Sequence, residues 1–150
     1  MWEQPGPELE ILLAAGEGQY LECKREVPGP KDEDRRKVLK TIAAFASKDG
    51  GTVLFGVQDD LQITGLPTAE SVDKQTLTVV SMIRDTIVPV PPFTTRVIDH
   101  DGRMVLAVEV SAGGQMHAYR NGQRLEFYVR VGPNTVFARH HEVAAGFGRS

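Results

Sequence analysis

The apolar positions of the chain fall into segments with two different periods. Glu8 to Ala15 puts Leu9, Leu12 and Leu13 on one side at helical spacing, and Gly16 ends that segment. Gln19 to Glu26 alternates as a strand does, and Val27-Pro28-Gly29-Pro30 with the charged run to Asp34 reads as a loop. Asp32 or Asp34 is placed to cap a second helix. Its apolar stripe is Val38, Leu39, Ile42, Phe45 and Ala46, while Arg36, Lys37 and Lys40 lie on the opposite face. Gly50-Gly51 stops it, because a helix C-terminus favours the positive φ that glycine supplies. Thr52 to Val57 is an almost unbroken apolar run, the pattern of a buried central strand, with Asp59-Asp60 at its end.

Ile63 to Leu66 is a short extended piece. The periodicity then predicts a helix from about Glu70 to Val88, with Val72, Val79, Val80, Ile83 and Ile87 inward and Pro89, Pro91 and Pro92 forbidding its continuation. The remainder is β. Thr95 to Asp99 and Met104 to Val110 flank His100-Asp101-Gly102, and Met116 to Tyr119 and Leu125 to Val131 flank Asn121-Gly122; both are strong hairpin signals. A short helix from about Arg139 closes the chain. The order α-β-α-β-α followed by four strands predicts an α+β domain: a mixed, mainly antiparallel sheet with helices packed on it.

The chain has 150 residues, 41% apolar and 25% charged, which is the balance of one globular domain, here expected over 1–150. A chain of this length buries roughly 70% of its extended surface on folding and needs no disulfide to hold a core. Cys23 is the single cysteine, so neither an internal disulfide nor a cysteine-based zinc site can form. It lies between Glu22 and Lys24 on the first strand, facing away from both, and reads as a small core residue. Met1-Trp2-Glu3-Gln4-Pro5 lacks the basic and apolar stretches of a signal peptide, and no apolar run approaches the ~18 residues of a membrane span. The expectation is a soluble, cytoplasmic protein with no membrane partner.

The formal charge of −3 argues weakly against nucleic acid as a partner. The distribution argues less so: from Arg120 onward there are Arg120, Arg124, Arg130, Arg139 and Arg149 against Glu126 and Glu142. No P-loop, nucleophile elbow or dinucleotide fingerprint is present. His140-His141-Glu142 lacks metal-ligand spacing and reads as a solvated helix surface.

The stretch Gly16 to Lys24 is the most informative in the chain for chemistry. Strand alternation puts Glu22 and Lys24 on one face with Tyr20 beside them. A carboxylate and an ammonium at that spacing resemble the E-x-K pair of metal-dependent nucleases. Gly16 and Gly18 permit a bend that turns Glu17 back toward Glu22, and Asp59 or Asp60 approaches them if the two strands pair. Converging carboxylates repel unless one takes a proton or a hard cation such as Mg²⁺ or Mn²⁺ joins them. From the residues alone a cross-strand ion pair at Glu22 and Lys24 and a plain turn at Asp59-Asp60 are the commoner arrangement. Arg130 and Tyr128 share a strand face, which suits either a base and phosphate grip or an arginine buried against Glu22 or Asp59.

Leu21-Glu22-Cys23-Lys24, Ile42 to Ser47, Gly50 to Asp60, Ile63-Thr64-Gly65-Leu66 and Tyr128-Val129-Arg130-Val131-Gly132 form an ordered series. It resembles the Schlafen AlbA-like domain, whose pattern reads E-x-K, A-F-A-N, G-G-x-x-x-x-G-V-x-D-D, I-x-G-L and Y-x-R-x-G, over about 17–135. The resemblance implies nucleic-acid binding; such domains are described as DNA-binding regulators and, in older usage, as divergent ATP-binding domains. Animal relatives cleave tRNA and rRNA with two glutamates and an aspartate, which map to Glu17, Glu22 and Asp59, with Asp60 in reserve. Ser47 stands where Asn is usual, and Met116-His117-Ala118-Tyr119 lacks the proline common before the aromatic.

The implied function is a Mn²⁺- or Mg²⁺-dependent endoribonuclease acting on structured RNA such as tRNA. Glu17, Glu22, Asp59 and Asp60 are the candidate metal ligands, and Lys24 assists the attack on phosphorus. Lys24, Arg25, Arg36, Lys40, Tyr128 and Arg130 are the candidate nucleic-acid contacts. The alternatives are a non-catalytic DNA- or RNA-binding module and, least supported without a P-loop, an ATP site. A homodimer is suggested by the paired modules of the animal relatives.

Overall fold

The computed structural model describes residues 7–139 and 143. The chain folds as α1 (Pro7–Ala15), β1 (Leu21–Lys24), α2 (Glu33–Ser47), β2 (Gly51–Phe55), α3 (Val72–Thr86), β3 (Ile87–Val88), β4 (Phe93–His100), β5 (Arg103–Val110), β6 (Ala118–Asn121), β7 (Arg124–Glu126), β8 (Tyr128–Val131) and β9 (Asn134–Phe137). The expected α+β architecture is present. Four strands form the main sheet in the order β1-β2-β5-β4, with β1 parallel to β2 and the other pairs antiparallel. Two smaller antiparallel sheets, β3-β6-β7 and β8-β9, complete the described residues.

Strand alternation sorts the core onto both faces of the main sheet. Val53, Phe55, Leu106, Val108 and Val110 face α2 and α3 and join Ile42, Phe45, Val79 and Ile83. Leu54, Val105 and Ala107 face the other way and pack with Cys23, Ile98 and Leu9 of α1. Asp32 is the residue that caps α2, its carboxylate accepting from the Asp34 amide. Glycine at position 51 is required by packing: a Cβ there would lie 2.6 Å from the Phe45 ring.

Three expectations need correction. The second long helix ends at Thr86, and Ile87–Val88 becomes a strand paired with β6. Proline at 89 disfavours helical backbone at Val88, and two β-branched residues suit the extended form. Leu125 to Val131 is not one strand. It breaks at Phe127 into β7 and β8, which belong to different sheets. Beyond it a further strand, β9, returns through the two-residue turn Gly132-Pro133, with Gly132 at φ +57 in the position where a II′ turn takes glycine. Of the closing helix only Arg139 and Val143 are described, joined by an amide-to-carbonyl bond of 3.1 Å; His140, His141, Glu142 and Arg149 lie outside the described residues.

Candidate functional site

The parallel pairing of β1 with β2 sets Glu22 beside Val53 and Lys24 beside Phe55, so the strand bearing E-x-K runs alongside the one leading to Asp59-Asp60. Cys23 points into the core opposite α2 with no exposed surface. Glu22 and Lys24 therefore project toward α2 and β8. Gly16, at φ +74, turns the chain after α1 and lets Glu17 fold back over β1.

Glu17 and Glu22 come together. The Glu17 carboxyl is half-buried and is pushed up to about 7. Desolvation contributes most, then the facing carboxyl of Glu22 within hydrogen-bonding reach, then the charges of Glu22 and Asp59, with Lys24 opposing. Its Oε1 is buried with no hydrogen-bond partner. The same negative charges, added to burial, push the Cys23 thiol up to about 12.

Asp59 is exposed; its charge reaches Glu17 and Cys23, but the acid pair is not closed into a triad. Among the described residues no group of three His, Cys, Asp or Glu is arranged to hold a metal ion. Asp60 caps its own turn, accepting from the Gln62 amide at 3.0 Å. Lys24 Nζ lies 3.9 Å from Asp34. Lys24, Arg25, Asp59 and Asp60 line a recess of about 450 Å³ at the β1–β2 end, shared with Asp34 and Gln58.

Arg130 takes the buried one of its two alternatives. It is 4% exposed, and its guanidinium donates to the carbonyls of Gly18 (2.9 Å) and Leu21 (3.2 Å) and to the Thr135 hydroxyl (3.1 Å). It also pairs with Glu22 at 3.6 Å and lies 5.4 Å from the Phe45 ring centroid. Arg130 thus positions Glu22. Gln19 reinforces the same junction, donating to the Arg130 carbonyl (2.8 Å) and accepting from the Gly132 amide (2.9 Å). Tyr128 is also buried, its hydroxyl donating to Glu126 at 2.8 Å.

On the α2 side a groove of about 690 Å³ runs between that helix and the β8–β9 hairpin. Glu22, Tyr128 and Arg130 line it along with Lys37, Lys40 and Phe137. Lys40 Nζ sits 5.6 Å and 5.2 Å from the Tyr119 and Tyr128 ring centroids. Arg36 is exposed nearby, close enough for its charge to act on the Tyr119 phenol. Glu22, Lys40, Tyr128 and Arg130 thus line one hollow and Lys24, Arg25, Asp59 and Asp60 the other; Glu17 and Arg36 line neither, and Glu17 feels the charges of acids in both. Gln19, Lys37, Thr135 and Phe137 are not singled out by sequence reasoning. The legible signal for Thr135 and Phe137 is the Gly132-Pro133 turn, which sends a second strand back along β8.

Solved structures supply relatives for the fold. The DIP2311 protein from Corynebacterium diphtheriae superposes with a TM-score of 0.56 at 21% identity over 87% of this chain, which spans only 24% of that one. The N-terminal domain of a Nitrosomonas europaea protein described as related to the ATP-dependent DNA helicase RecG superposes with a TM-score of 0.54 at 22% identity, covering 87% of this chain and 84% of that one. Among curated proteins none matches. Residues 17–138 match the Schlafen, AlbA_2 family, a stretch that takes in every strand from β1 to β9, and the chain belongs to that family.

Proposed function

We propose that this domain binds nucleic acid along the groove between α2 and the β8–β9 hairpin, and that Glu17 and Glu22 hold a divalent cation, Mn²⁺ or Mg²⁺, for endonucleolytic cleavage of structured RNA such as tRNA. One observation carries the reading. Glu22 belongs to both features: its carboxyl faces Glu17, and it lines the groove that Lys37 and Lys40 flank.

The donor set suits a hard cation. A half-buried carboxyl and a largely buried one meet, one oxygen of Glu17 has no partner, and the pair retains a proton near neutrality. Mg²⁺ is commonly held by one or two carboxylates, with water and substrate phosphate completing its shell, so two protein ligands suffice where a phosphodiester is the third. A bound ion would supply Lewis-acid polarisation of the phosphate and a lowered pKa for water. Loss of the Glu17 proton frees both carboxylates as oxygen donors. Arg130 fixes Glu22 in the groove wall, and the ammonium groups of Lys37 and Lys40 offer contacts to the phosphate backbone. Lys24, in the neighbouring recess with Asp59, is the candidate to assist the attack.

The test is incubation of tRNA with the purified chain and Mn²⁺, with and without EDTA, beside Glu22→Gln. Cleavage that needs the metal and Glu22 is expected. Intact RNA at stoichiometric protein and Mn²⁺, with retained binding, leaves the second reading: a non-catalytic nucleic-acid module. The ion pair from Arg130 to Glu22 favours that reading, since it supplies Glu22 with a positive partner from within the protein.

A further inference from the structure

The groove carries an aromatic surface that the acid pair does not use. Phe137 is 66% exposed although it lies on a paired strand. One side of its ring packs on Tyr128, centroids 4.8 Å apart and planes 24° from parallel. Tyr128 in turn is buried and meets the edge of Tyr119 at 6.5 Å. Phe137 is thus the open end of an aromatic stack anchored in the core, and both it and Lys37 and Lys40 line the groove.

Two hydroxyls beside it are already engaged. The Thr135 hydroxyl accepts from Arg130 and shares a 2.7 Å hydrogen bond with Thr41. The outer face of the Phe137 ring and the exposed Lys37 ammonium stand open in the groove, while the Lys40 ammonium, held over the Tyr119 and Tyr128 rings, adds positive charge to the same wall. A ring face flanked by cations matches a nucleotide: a base for the ring and a phosphate for the ammonium.

We infer that Phe137 is a stacking platform for an unpaired base, so that the groove takes single-stranded or looped nucleotides in preference to continuous duplex. The inference rests on the nucleic-acid reading above. Bases inside a duplex have both faces covered by their neighbours, whereas unpaired bases can be splayed onto an aromatic side chain. Phenylalanine offers no hydrogen bond to a base edge, so purines and pyrimidines are accepted alike. Tyr128, an aromatic that the sequence pattern points to for this role, is instead the buried support on which the platform rests.

The experiment measures fluorescence anisotropy of a labelled oligo-uridine of about 12 nucleotides, within the usual single-strand site size, and of a blunt RNA duplex of equal length, at low salt. The full chain is compared with Phe137→Ala, Phe137→Leu and Phe137→Trp, each checked by circular dichroism. Phe137→Ala is expected to weaken oligo-uridine binding by about 5- to 150-fold, the range of one stacked base. Phe137→Trp should hold the native affinity, Phe137→Leu should not restore it, and duplex binding should not change in any variant. Equal oligo-uridine affinity in the native chain and Phe137→Ala overturns the inference, as does full rescue by leucine. So does a dimer that Phe137→Ala dissociates without altering oligo-uridine affinity, because the ring is then covered by a second copy. Binding of both probes without dependence on Phe137 sinks this inference alone; binding of neither sinks the nucleic-acid reading itself.

Discussion

Glu17 shows how burial and a neighbour jointly decide the state of one carboxyl. Partial desolvation disfavours its charge, and Glu22 on the adjacent strand disfavours it further, so its proton stays on to about pH 7. The consequence for stability has a definite sign. Below about pH 4.5 the folded and unfolded chains are both protonated at this position. Between 4.5 and about 7 the unfolded chain releases the proton while the folded one keeps it, so stability falls as pH rises through that window and stays lowered above it. Glu17→Gln cannot ionise. Thermal melts from pH 5 to 8 should therefore show the variant gaining on the native chain as pH rises. A difference between the two that is constant with pH would contradict the raised value. Cys23, behind the same charges, is held as a protonated thiol and offers no nucleophile.

At the scale of elements, β1 is only four residues long, yet it presents both Glu22 and Lys24. It can do so because β2 holds one edge and Arg130 of β8 clamps the carbonyls of Gly18 and Leu21. The clamp is charged on both sides: the Arg130 guanidinium is buried with Glu22 as its nearest acid. Removing one member of such a pair strands the other, which costs about 3–5 kcal/mol. Arg130→Ala should lose that much in urea unfolding. The same substitution in a Glu22→Gln background should cost less, because no buried anion is left behind, and equal costs in both backgrounds would show that the two residues are energetically independent. Ser47 works similarly without charge. Its hydroxyl accepts from the His117 amide at 2.9 Å and so ties α2 to the segment entering β6.

Across the whole molecule the net charge is −3, yet Lys37 and Lys40 line one groove while Asp59 and Asp60 line a separate recess. A globally acidic chain can therefore present a local phosphate-binding surface. If the two lysines contact phosphates, the slope of log affinity against log salt should fall by about one unit for each lysine removed. Titrations of the native chain, Lys37→Ala and the double variant Lys37→Ala/Lys40→Ala over a salt series check this. An unchanged slope in the double variant would place the phosphate path elsewhere. Among the described residues no helix is long and apolar enough to cross a membrane.

The sequence by itself determined what depends on neighbours along the chain. A cap at Asp32 or Asp34 and the apolar stripe of α2, the buried run of β2 and the Asp101-Gly102 turn between β4 and β5 are local signals, and the structure contains each, with Asp32 as the cap. The ordered motifs were equally legible, since a family pattern is written in sequence order. Only the tertiary structure decided the rest. Pro89 and two β-branched residues favour an extended Ile87–Val88, but that the segment becomes a strand rests on its pairing with β6, and the run from Leu125 splits because β7 and β8 find partners in different sheets. Periodicity could say that Arg130 and Tyr128 share a face. It could not say that the face is closed over by Gly18, Leu21 and Thr135 while Phe137 stays open, because burial is set by which elements meet across the fold.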